Sequence, residues 1–257
     1  MSWARNSRSA SVVAGLLAMW GLVWIGGARA QNVSEQYLLA AANQERATRQ
    51  LPALKIDEHL ALAARLHAYQ MADHRGISHQ FEGELELSQR AGDAGAHFSL
   101  IAENVAEASN SALIHEMWMN SAGHRANLLD PNVDSVGIAV VQKDGQLYAV
   151  EDFARTVAKL TLEQQEAAVG SLLTTAGLRL GGNKGDARQT CTMSTGYVGS
   201  RQPWFVMRYT ASSLDKLPQE LTERLATGKY HEAAVGACVS GKQTPFTSYN
   251  VAVMLFP

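Results

Sequence analysis

Two apolar runs joined by a tight turn constrain this chain most. Ser135 to Gln142 reads SVGIAVVQ, Gln146 to Phe153 reads QLYAVEDF, and Lys143-Asp144-Gly145 lies between them. Runs of this kind around an Asp-Gly pair predict an antiparallel hairpin, because Asp-Gly accepts the positive φ values of a two-residue turn. Tyr148 and Val150 share one face of the second strand and Phe153 takes the other, so packing is the reading for all three.

Helices are expected ahead of the hairpin. Val33 to Arg49 carries Tyr37, Leu38, Ala41, Ala42 and Ala47 behind Ser34 as an N-cap, and Pro52 closes the segment that follows. Asp57 caps a second helix in which Leu60, Ala63, Ala64, His67 and Met71 recur at helical spacing. Asp73 to His79 reads as its exit loop, and Glu84 to Ala91 as a short helical piece. A helix from Ser111 to Asn120, capped by Ser109 or Asn110, presents Leu113, Met117 and Trp118. Another runs from His124 to Leu129 and stops at Asp130-Pro131.

The character changes after Arg155. Thr161 caps a helix reaching Ala176, glycines run from Gly181 to Gly185, and a helix holding Leu217 to Leu225 separates the strand-like PWFVMRYT and VGACVS. TSYNVAVMLF closes the chain. A domain boundary is expected between Ala154 and Thr161. No solenoid period is visible, although both halves finish on an apolar strand.

Residues 1–30 have Arg5 and Arg8, then an apolar run from Val12 to Ile25, then Ala28-Arg29-Ala30. That is the layout of a secretory leader, which predicts a mature start near Gln31, secretion or periplasmic residence, and no integral membrane span after cleavage. Without Arg5, Arg8 and Arg29 the 22 basic residues become 19 against 24 acidic ones, a net charge of about −5. No Lys/Arg cluster appears, which argues against a nucleic-acid partner. Two cysteines, Cys191 and Cys238, are expected to form one disulfide in an oxidising compartment.

Seven histidines fall between positions 59 and 124, but Met119 removes any H-E-x-x-H pattern after His115. His124 and Arg125 follow Gly123 at a helix start. They serve either as pins for that start or, for a neutral His124, as part of a ligand site. Glu103 lies within the apolar LIAENVA, where a carboxylate needs hydrogen bonds, a charge partner or a metal. Ser121, His124 and Glu103 mimic a nucleophilic triad, yet no G-x-S-x-G elbow accompanies them, and serine before a helix usually caps it.

The ordered set NQERATRQLPALKIDEHLALAARLHAYQMA, SHQ, AENVA, MWMNSAGHRANLL, VGIAVV and LYAVEDF resembles the CAP superfamily. That superfamily groups the cysteine-rich secretory, antigen 5 and pathogenesis-related 1 proteins, and the likeness is to its bacterial SCP-like branch. The resemblance covers Tyr37 to Ala154. It implies a CAP-type α-β-α sandwich over residues 31–157; outside the resemblance, the residues of 158–257 read as a smaller α+β module with one disulfide, so the whole chain is expected to be α+β. The resemblance also implies a cleft in which His79 and His124 bind zinc or another divalent cation beside Glu103, with Ser121 and Arg125 structural near it. Ala102 stands where the family usually has glycine, and Ser121 stands where eukaryotic members have a second acid. The expected role is a binding or signalling protein for a small hydrophobic, lipid or envelope ligand; the alternative is a metal-dependent hydrolase using Glu103. Trp118 reads as core, and His67 and His115 as packed or surface histidines. In the C-terminal module Tyr197, Arg201, Trp204, Phe205, Arg208 and Tyr209 either form a partner-binding surface or place Trp204 and Val206 on the core side of a strand.

Overall fold

A computed structural model describes residues 32–239 and 245–257; the leader expected at 1–30 lies outside them. Two groups of elements follow one another. The first holds α1 (Val33–Thr48), β1 (Lys55–Ile56), α2 (Glu58–His74), α3 (Leu87–Asp93), β2 (Phe98–Ala108), α4 (Ser111–Asn120), α5 (Ala122–Leu128), β3 (Ser135–Lys143) and β4 (Gln146–Thr156). The second holds α6 (Leu162–Thr175), β5 (Arg179–Leu180), α7 (Lys184–Thr192), β6 (Phe205–Ala211), α8 (Gln219–Leu225), β7 (Glu232–Cys238) and β8 (Tyr249–Phe256).

The predicted hairpin is β3–β4, antiparallel from Ser135↔Ala154 to Lys143↔Gln146. Asp144 and Gly145 both take positive φ, 50° and 81°, as the turn requires. Ile138, Ala149 and Phe153 face one core with Leu38, Ile114 and Trp118. Tyr148 and Val150 face the opposite core with Ala64, Ala68 and Met71 of α2. The sheet thus lies between helices, with order β1-β3-β4-β2 and β2 at its edge.

The second sheet repeats this plan. Its order is β5-β7-β8-β6, again with a two-residue parallel pair, a central antiparallel pair and an antiparallel edge strand. The close contacts repeat as well. A Cβ on Gly137 of β3 would lie 2.1 Å from the Leu60 carbonyl carbon in α2, and one on Gly236 of β7 would lie 2.1 Å from that of Ala187 in α7. Only glycine lets a helix backbone come this near a strand. Buried Glu35 of α1 accepts from the Val140 amide (3.2 Å) and from Arg65 of α2 (3.4 Å). Buried Glu166 of α6 accepts likewise from the Ala237 amide (3.1 Å) and Arg188 of α7 (2.5 Å). Each sheet is therefore clasped by a carboxylate from one helix and an arginine from another. The halves share an architecture that no sequence period betrays.

Several sequence expectations are corrected. Asn32 caps α1 instead of Ser34, in a reciprocal box with Glu35. Leu113 and Met117 are exposed, because α4 turns Ile114 and Trp118 inward. The short helix after α4 starts at Ala122, ahead of His124. The piece expected at Glu84 to Ala91 forms at Leu87–Asp93 with Glu86 as its cap, which frees Glu84 for the interior. The glycine-rich stretch before Cys191 opens into α7. Trp204 is 62% exposed, against the core-side reading, while Val206 packs beside Ala187 and Met254. The nine residues of α7 span ~14 Å against ~26 Å for the seventeen of α2, so the second sheet has less cover. Cys191 and Cys238 form the expected disulfide.

Candidate functional site

The site assembles around two consecutive residues of the edge strand. Glu103 and Asn104 point to opposite faces of β2 because strand side chains alternate. On the α2 face, Glu103 is 6% exposed, and its Oε1 meets His79 Nδ1 at 2.8 Å while its Oε2 accepts from Arg90 of α3. On the other face, Asn104 Nδ2 donates to the His124 carbonyl (3.0 Å), and Asn127 Nδ2 donates to both Asn104 Oδ1 (3.0 Å) and the Glu103 carbonyl (3.2 Å). One dipeptide therefore tethers the two histidine-bearing segments from either side.

The loop carrying His79 is fixed from below. His67 is fully buried, with Nδ1 2.7 Å from Glu84 Oε1 and Nε2 2.7 Å from the Ser78 carbonyl, so its ring braces the peptide next to His79. Arg90 donates to the His79 carbonyl (3.1 Å) as well as to Glu103. The His79 side chain itself is 63% exposed. Its hydrogen bond to Glu103 raises its pKa above the ordinary imidazole value, while burial and then the His79 charge lower that of His124.

These donors suit a divalent cation. His79 offers Nε2, since Nδ1 is held by a carboxylate in the manner of a metal-bound histidine, and His124 favours the neutral form that ligates. Among the described residues no group of three or more His, Cys, Asp or Glu side chains is placed to hold a metal ion. A bound cation would complete its coordination with water or ligand oxygens.

Of the remaining residues singled out in the sequence, Ser121 forms the N-cap of α5 without a side-chain bond, and Arg125 donates to the Met119 carbonyl at 2.6 Å. His115 is half-buried, its pKa lowered by burial. Sequence reasoning missed Asn104, Asn127, Arg90, Glu84 and Asp152. The alternation of Glu103 and Asn104 on an otherwise apolar strand was the available signal. In the second sheet Arg208 occupies the register of Glu103, and Ala252 that of Asp152, judged from Gly137 and Gly236. Arg208 bonds the Thr190 and Gly196 carbonyls, so the second unit keeps the frame without the carboxylates.

The sequence profile of the CAP family, the cysteine-rich secretory protein family, matches residues 39–153. The uncharacterized protein YkwD of Bacillus subtilis (strain 168) is 30% identical over 109 residues, 42% of each chain, so this chain spans less than half the length of that curated relative. An SCP-domain extracellular protein from Bacillus anthracis str. Ames is similar at 29% identity and TM-score 0.45, over 48% of this chain and 40% of that one. An outer surface protein from Borrelia burgdorferi is similar at 22% identity and TM-score 0.45, over 48% of this chain and 92% of its own. Profile, relative and motif order agree on the same stretch: residues 39–153 of this chain are similar to the cysteine-rich secretory protein family and to a bacterial relative that carries it.

Proposed function

We propose that this chain is an exported binding protein whose CAP cleft holds a ligand without transforming it, with a divalent cation between His79 and His124. The commitment of Glu103 carries this reading. Both of its oxygens are engaged, one by His79 and one by Arg90, and it is almost fully buried. A general base must reach the proton it removes, and Glu103 would have to abandon a partner first. The hydrolase alternative has no second observation behind it. When bound, the cation would act as a Lewis acid toward ligand oxygens.

Export is supported by the Cys191–Cys238 disulfide, which suits an oxidising compartment. Among the described residues no helix is long and apolar enough to cross a membrane. The ligand is taken to be a small hydrophobic, lipid or envelope molecule. Leu62, Leu66 and Tyr69 lie exposed along α2, which gives the same domain an apolar outer stripe.

Zinc titration calorimetry on the protein and on its His79→Ala/His124→Ala variant tests the reading. Near-stoichiometric binding lost in the variant supports it, and equal binding in both sinks the cation site. Turnover of any ester or peptide substrate that disappears in Glu103→Gln would overturn the non-catalytic assignment.

A further inference from the structure

The two sheets finish their corresponding edge strands differently. On β2, side chains of the flanking helices take up backbone carbonyls: Trp118 Nε1 of α4 donates to Val105 at 3.1 Å, and Asn127 Nδ2 of α5 donates to Glu103 at 3.2 Å. In the second sheet the edge strand is β6, paired from Phe205↔Leu255 to Ala211↔Tyr249 with β8 on one side only. Among the described residues no backbone group of Phe205–Ala211 hydrogen-bonds outside that pairing. An edge left this way presents a row of N–H and C=O groups to which another chain can add as a strand.

Residues at the start of this edge indicate what kind of chain fits. Trp204 directly precedes β6; its amide donates to the Leu255 carbonyl at 2.9 Å, and the residue is 62% exposed. Arg201 lies over the Phe256 ring at 4.4 Å, and Arg224 lies over the Phe205 ring at 5.0 Å. Phe256 packs with Ala187 and Val206 on the α7 side of the sheet, whereas Phe205 packs with Leu221 and Val253 on the α8 side. The two arginines therefore stand on opposite faces of one sheet end. Each side chain stays about half exposed beside its acidic neighbour, Glu232 for Arg201 and Glu220 for Arg224. Stacking on a ring holds a guanidinium in place, and tryptophan and arginine are the side chains that carry most of the energy at protein interfaces.

We propose that β6 docks an extended acidic peptide segment of a partner protein, which joins the four-stranded sheet as an added strand. Successive side chains of a strand point to opposite faces, so two adjacent carboxylates on the segment reach Arg201 on one face and Arg224 on the other. An apolar side chain next to them covers the Trp204 indole. A second copy of this chain is a poorer occupant. Antiparallel pairing of β6 with itself about its midpoint sets Arg208 opposite Arg208, and like charges directly across a ladder destabilise it.

The test is fluorescence anisotropy on the intact protein with labelled peptides of about eight residues, an ordinary strand length. They alternate valine and threonine around a central Asp-Glu pair, a central Lys-Lys pair, or an Asp-Glu pair followed by proline. Saturable binding of the Asp-Glu peptide is expected. The Lys-Lys peptide, which meets the arginines with like charge, and the proline peptide, which lacks a ladder N–H, should each bind at least about tenfold more weakly. Trp204→Ala and the Arg201→Gln/Arg224→Gln pair should each weaken the Asp-Glu peptide by about tenfold, with circular dichroism checking that both variants fold. No binding of the Asp-Glu peptide, equal binding of the Lys-Lys or the proline peptide, or binding unchanged in both folded variants overturns the proposal. Self-association seen by light scattering and abolished by Trp204→Ala also overturns it, by giving the edge to a second copy. Should a variant fail to fold, the three peptides on the parent protein still decide.

Discussion

Asp152 faces Glu103 directly across the β2–β4 ladder, so two carboxyl groups share one buried side of the sheet. Burial and then the Glu103 charge raise the Asp152 pKa well above the carboxylate range, so it keeps its proton while Arg90 pairs with Glu103. Asp152→Asn, which mimics that protonated form, should cost under ~1 kcal/mol at pH 5 by urea denaturation. Arg90→Met strands the buried Glu103 and should cost ~3–5 kcal/mol. Equal losses would show that Arg90 does not balance the pair.

Glu151, on the opposite face of β4, is fully buried and has its pKa pushed up to about 8 by desolvation, which Asn104 offsets only in part. Between pH 4.5 and 8 the folded state retains a proton that the unfolded chain has released. Stability therefore falls as pH rises through that window. Asp152 contributes with the same sign. Glu151→Gln should be more stable than the parent at pH 8, on the order of 3 kcal/mol, with little difference at about pH 4. Urea melts at the two pH values check this, and a parent that gains stability from about pH 5 to 8 contradicts it.

The cleft histidines should titrate apart. By NMR, His79 is expected to protonate above pH 6.5 and His124 below it, because Glu103 holds the His79 ring and burial disfavours charge on His124. Glu103→Gln should bring the His79 value down toward that of a free imidazole. An unchanged His79 titration would show that the 2.8 Å contact does not persist in solution. The stability that His79 contributes is present below pH 6.5 and fades as pH rises through its folded value.

Arg46 is fully buried in α1 and donates to four carbonyls, those of Pro52, Leu128, Asp130 and Val133. Burial lowers its pKa, with Asp130 opposing. One guanidinium thus ties the loop after α1 to the segment between α5 and β3. Arg46→Met should lower stability by ~3–5 kcal/mol, since four carbonyls lose a shared donor. Arg46→Lys, with a single point of charge and three donors, should recover less than half of that. Thermal midpoints of the two variants decide.

The disulfide joins α7 to the end of β7 over a separation of 47 residues. Replacing Cys191 and Cys238 with alanine should cost about 4 kcal/mol in the chain-entropy model. Comparing the double variant with the parent, each with and without reductant, checks it; a parent insensitive to reductant while the variant is destabilised would point to lost packing instead.

The sequence made the first unit legible through its ends. Asp57 and Asn110 cap helices as expected, and Asp144-Gly145 turns the hairpin, because each of these signals acts over three or four residues. Glu103 and His124 stood out by their surroundings and His79 came from the resemblance, and hydrogen bonds converging on β2 draw their segments together. What supports them was hidden for a physical reason. Arg90 is an ordinary charge in the sequence until the fold buries it, and Asp152 becomes conspicuous only once its strand partner is known. The likeness of the two halves was equally invisible, since Gly137 and Gly236 carry it by what they lack.

In both sheets the strand that comes last along the chain, β4 or β8, lies inside the sheet with a neighbour on each side. Neither sheet can therefore grow strand by strand in the order in which the polypeptide emerges. Edge strands β2 and β6 must wait, unpaired, until the closing hairpin arrives between them and the remainder. Each half would therefore stay open up to its last strand and then close in one step.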